Sequence, residues 1–67
     1  MERVETEMIG KRCKVMFLDM ETRRINVSQG ILLSISPEWL VIRDIEHNIV
    51  KMINCNQIQH VEVLEKI

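Results

Sequence analysis

Large rings are scarce in this chain: 67 residues include no tyrosine, one phenylalanine and one tryptophan. A core must therefore be assembled from Ile, Val, Leu and Met, with Phe17 and Trp39 as the only bulky rings, and stacking platforms for single-stranded nucleic acid reduce to Trp39. Proline occurs once, at Pro37, and glycine twice, at Gly10 and Gly30, which excludes a flexible linker or a low-complexity segment. Cys13 and Cys55 are the only cysteines and lie far apart, so packed thiols in a reducing compartment are expected rather than a disulfide framework. Neither sign of charge dominates: nine Lys and Arg against ten Asp and Glu leave a net charge of -1. That balance gives no global pull toward nucleic acid or an anionic membrane. No apolar run approaches a membrane span. Met1 to Ile9 is studded with charge instead of forming a signal sequence, so a soluble cytoplasmic protein is expected.

What is present is alternation. From Arg24 to Ser36, Ile25, Val27, Ile31, Leu33 and Ile35 share one parity while Asn26, Ser28, Ser34 and Ser36 share the other, the period of a strand. Gln29-Gly30 interrupts the pattern and predicts a bend. A first strand runs from Lys11 to Asp19, with Cys13, Val15 and Phe17 on one face and Met16 and Leu18 making the other face apolar toward its end. Ser36-Pro37-Glu38 is a turn, because proline fixes its own φ and cannot donate to a ladder. Trp39 to Arg43 reads as the third strand, Asp44 to Asn48 as a turn and Ile49 to Ile53 as the fourth strand. Asn54 to Gln57 reads as one turn of 3₁₀ helix, and His60 to Leu64 as the fifth strand. Met1, Val4, Met8 and Ile9 fall at helical spacing, which predicts a short N-terminal helix or arm over residues 1–9. The expected fold is all-β: a single domain spanning 1–67, built as a small five-stranded, strongly bent antiparallel barrel over residues 10–67. Its expected core is Val15, Phe17, Ile25, Val27, Ile31, Leu33, Ile35, Leu40, Ile42, Val50, Met52, Ile58, Val61 and Val63.

Catalytic patterns are lacking. No nucleophile motif surrounds Thr22, Ser28, Ser34 or Ser36, and Cys13, His47, Cys55 and His60 lack the close pairs that nucleate structural zinc sites. A non-enzymatic module without metal or cofactor is expected. The basic run Lys11, Arg12, Lys14 with Arg23 and Arg24 offers phosphate contacts if strands one and two pair as a hairpin, and equally offers a solvated face that guards a strand edge.

The order of elements, with Ile9-Gly10-Lys11-Arg12 leading into strand one, Leu18-Asp19 ending it, Gly30 in the long strand, Leu40-Val41-Ile42 with Asp44 in strand three, and Ile58 followed by Val61-Glu62-Val63-Leu64, resembles the Sm-like (LSm) family of SH3-like barrels. The resemblance implies RNA association and assembly into a ring by pairing strand four of one copy with strand five of the next. The family's uridine-binding residues, an Asp, a hydrophobic and an Asn in one loop and an Arg-Gly pair in another, are replaced here by Ser36-Pro37-Glu38-Trp39 and Asn54-Cys55-Asn56-Gln57. Candidate nucleic-acid contacts are therefore Lys11, Arg12, Lys14, Arg23, Arg24, Trp39, Asn54 and Asn56. Trp39, Val41, Ile49 and Ile53 are the apolar surplus assigned to a homo-oligomer interface. Two readings stand: an RNA-associated Sm-like oligomer, or an SH3-like module that binds another protein. Neither involves a membrane.

Overall fold

The computed structural model describes residues 8–64. Five strands occur in the order β1 (Arg12–Asp19), β2 (Arg24–Ile35), β3 (Trp39–Asp44), β4 (Ile49–Asn54) and β5 (Ile58–Val63), with a 3₁₀ turn at Cys55–Gln57. They form one antiparallel sheet in the order β4-β3-β2-β1-β5. The sheet is not closed: β4 and β5 end it on opposite sides with no ladder between them among the described residues. The all-β expectation holds in this coarser form. The expected helix or arm over residues 1–9 lies almost wholly outside the described residues, where only Met8 and Ile9 of it form a turn leading to Gly10.

Local chemistry sets each connection. Between β1 and β2, the Asp19 carboxylate accepts from the Glu21 N–H at 2.9 Å and Arg23 adopts φ 61°, a tight turn with one left-handed residue. Between β2 and β3, the Ser36 hydroxyl accepts from the Trp39 N–H at 3.1 Å, while Ser36 N–H donates to the Trp39 carbonyl at 2.8 Å. The β3–β4 turn repeats the first device, with Asp44 accepting from the His47 N–H at 3.1 Å and Asn48 at φ 55°. Asn54 caps the 3₁₀ turn by accepting from the Asn56 N–H at 2.9 Å.

The core consists of Cys13, Val15, Leu32, Leu40, Ile42 and Ile53, with Met8, Phe17, Ile35, Cys55, Ile58, Val61 and Val63 packed against it. Two strands face opposite to expectation. In β2 the buried parity is Ser28, Gly30 and Leu32, while Ile25 and Val27 stand about half exposed, at 49% and 50%. The parity changes not at Gly30 but at Leu33, the extra residue where Leu32 opposes Ile42 and Ser34 opposes Val41. Beyond this bulge Ile35 turns inward and Leu33 outward. Ile25 and Val27 instead form cross-strand pairs with Leu18 and Met16 on the outer face.

In β4 the expected inward residues, Val50 and Met52, are exposed, and Ile53 and Lys51 take the inner face opposite Leu40 and Ile42. The half-buried Lys51 takes this inward position because its ammonium reaches the buried Asp44 carboxylate. Both cysteines are free, Cys13 buried and Cys55 half-buried. Burial raises both thiols above their ordinary pKa.

Candidate functional site

The polar centre of the molecule lies where β2 and β3 part. Asp44, the last residue of β3, turns its carboxylate inward and is buried. Its Oδ2 accepts from His47 Nδ1 at 2.9 Å and from Lys51 Nζ at 3.2 Å, while Lys51 Nζ also donates to the buried Ser28 hydroxyl at 3.1 Å. Every partner in this chain of contacts is thus satisfied across three strands and a turn. A cleft of about 260 Å³ opens beside it, lined by Arg12, Val27, Gln29, Gly30, Ile45 and Glu46 together with the polar group itself. Asp44, Glu46 and His47 bring three donor atoms within 4.8 Å of one another, but the Lys51 ammonium already supplies the positive charge against Asp44.

The hydrogen bond from the His47 ring, with that from the His47 N–H, holds the Asp44 carboxyl well below the usual carboxylate range, against the opposing effect of burial. The same ring bond raises the His47 pKa above its ordinary value. A depressed carboxyl contributes stability above its unfolded value of about 3.9, lost as pH falls through the folded one. A raised imidazole contributes in full below about 6.5, and that contribution is lost as pH rises through the folded value. The melting temperature should therefore be highest between about pH 4 and about pH 6.5 and decline on both sides. His47→Ala should flatten the alkaline decline. A wild-type melting temperature that climbs between neutral and mildly alkaline pH would contradict this assignment.

The basic residues do not form one patch. The hairpin pairs Arg12 with Ile31 and Lys14 with Gln29, whereas Arg24 pairs with Asp19 at the other end of β1. At about 3.3 Å per residue, Arg12 and Arg24 stand roughly 20 Å apart along the sheet, with Arg23 beyond in the turn. Lys11 lies beside Arg12, its carbonyl accepting from the Leu32 N–H at 3.0 Å. Antiparallel pairing aligned the strands but opposed the ends at which the charges sit. Trp39 and Asn54 are cross-strand partners, and Asn56 follows in the 3₁₀ turn, so these three candidates do share a corner.

The interface candidates divide too. Trp39 and Ile49 are exposed and Val41 half-buried, but Ile53 is 5% exposed and belongs to the chain's own core. Val50 at 50% and Met52 at 60% exposure are the apolar groups that β4 presents outward. The sequence pattern missed Ser28, Asp44 and Lys51 as one network. Asp44 followed three residues later by His47 carried a turn signal, but nothing in sequence aims Lys51 inward.

Compared with known proteins, the chain matches no family model, no curated protein and no solved structure. No helix among the described residues is long and apolar enough to cross a membrane.

Proposed function

We propose that the chain is a non-enzymatic, Sm-like assembly module that pairs the β4 edge of one copy with the β5 edge of the next. The observation that carries this reading is the strand order, which among the described residues leaves two different unpaired edges, β4 and β5, at opposite sides of one sheet. Such a contact is heterologous, and it closes into a ring when the rotation per copy permits. The pairing would satisfy backbone groups that otherwise template indiscriminate association, and would cover Val50 and Met52. The Sm-like resemblance implies the same contact. RNA association is the further step of this reading, resting on Lys11, Arg12 and Lys14 at one end of the hairpin and on the Trp39, Asn54, Asn56 corner.

The separation of Arg12 and Arg24 favours a second reading, an SH3-like module that binds protein without nucleic acid. Light scattering behind a sizing column tests assembly: the expected mass is a multiple of the 8.0 kDa chain, unchanged on dilution. A mass of one chain at every concentration rejects the module. Filter binding to a uridine-rich RNA over a salt series tests the further step, since each neutralised phosphate steepens the loss of affinity with salt. No retention at low salt leaves the protein-binding reading.

A further inference from the structure

The cleft beside the Asp44 network is lined by two charges of opposite sign that do not meet. β1 brings Arg12 to it, β2 brings Val27 and Ser28, the β3–β4 turn brings Ile45 and Glu46, and β4 brings Lys51. Arg12 and Glu46 are both exposed, and among the described residues neither forms an ion pair, with the other or with any third group. At about 260 Å³ the space lies below the ~300–1,000 Å³ of a pocket for a drug-sized molecule, so its occupant is small.

The charges on the lining sum to zero while His47 is neutral: Asp44 and Glu46 against Arg12 and Lys51. Lys51 is matched with Asp44 at 3.2 Å, which leaves Arg12 and Glu46, one charge of each sign on different elements. A balanced sum with its poles held apart is complementary to a zwitterion, and to neither an anion nor a cation. At the negative pole, Asp44, Glu46 and His47 carry polar atoms within 4.8 Å of one another, so the three donors of one ammonium can reach more than one of them. Ser28 adds a directed group. It is 3% exposed, its oxygen accepts from Lys51 Nζ at 3.1 Å, and its own proton meets no acceptor among the described residues. A buried donor of this kind favours a ligand oxygen in the cleft.

We propose that the cleft binds a free α-amino acid with an aliphatic side chain. The carboxylate pairs with the Arg12 guanidinium, the ammonium pairs with Glu46, and the side chain lies against Val27 and Ile45, which are exposed apolar residues of the lining. Neither pole lies on β4 or β5, so the site goes beyond the assembly reading and shares only Arg12 with the RNA step.

Leucine is the probe, titrated into the isotope-labelled full chain and followed by backbone amide chemical shifts. Saturable shifts are expected at Gln29, Gly30, Glu46 and His47, with a roughly millimolar dissociation constant for so small a ligand. N-acetyl-leucine lacks the ammonium and leucinamide lacks the carboxylate, and each should bind at least roughly tenfold more weakly. Glu46→Gln should weaken leucine as much and leave N-acetyl-leucine unchanged, while Arg12→Gln should weaken leucine and leave leucinamide unchanged. Both residues are exposed, and circular dichroism verifies that the variants keep the fold. A proton on His47 opposes the ammonium beside Asp44 and Glu46, so leucine affinity should fall toward acid pH. No saturable shift, equal affinity for either capped form, or shifts confined to β5 overturns the proposal. Neither assembly mass nor RNA retention enters this readout, so failure here and failure of those readings are distinguishable.

Discussion

Gly30→Ala should cost about 3 kcal/mol or more, at the upper end for overpacking a close-packed position. A Cβ built at Gly30 falls inside the contact distance of the Arg43 carbonyl, and the atoms that would have to yield are strand backbone. The glycine is required by space, not by φ: it is the buried residue over which β3 approaches β2 just before the two strands separate. Total stability for a domain of 67 residues is on the order of 3–10 kcal/mol, so the substitution removes a large part of it. Gly10→Ala is the internal comparison, because Gly10 has φ 90° and open space around a built Cβ. It should cost only about 1–2 kcal/mol of backbone strain. Thermal melts followed by circular dichroism rank the two, and equal losses would mean that the β2–β3 approach is not as tight as described.

Met52→Glu and Ile53→Glu, neighbours on β4, should fail in opposite ways. Met52 is exposed on the outer face, so a carboxylate there leaves the isolated chain within about 0.5 kcal/mol of its stability. If β4 edges assemble copies, the same charge lies in the contact and the mass should drop to one chain. Ile53 packs in the core with Leu40 and Ile42, and a glutamate there has no partner. That chain should lose its fold before any question of assembly arises. Sizing and circular dichroism on both variants separate the outcomes, and a Met52→Glu assembly of undiminished mass would remove β4 from the interface.

Strand positions were legible in sequence because turn chemistry is local. Asp19, Ser36, Asp44 and Asn54 each bond to a backbone N–H two or three residues on, and the expected turns fell at these places. Facing was less legible. In β2, Ser28 and Gly30 look like solvent residues, yet the first is held by Lys51 and the second makes room for the Arg43 carbonyl. Both reasons lie in other strands. In β4 a half-buried lysine inverted a parity that Val50 and Met52 had suggested, and the buried carboxylate that draws it in is seven residues away. The basic residues were correctly placed on a hairpin, but only the register shows them at opposite ends.

The strand order also sets a sequence of events in folding. Three of the four ladders join consecutive strands, so β1 through β4 can zip as a meander with short loop closures. The fourth joins Cys13 to Val63 and Phe17 to Ile58, across the whole intervening chain. Long-range closure carries the greater entropy cost and follows the local contacts. β5 is therefore the last of the five strands to seat, as it is the last of the five to be synthesised. Until it arrives, the β1 edge and the flank of Cys13 and Val15 stand open, and another copy's C-terminal strand fits that opening as well as the chain's own.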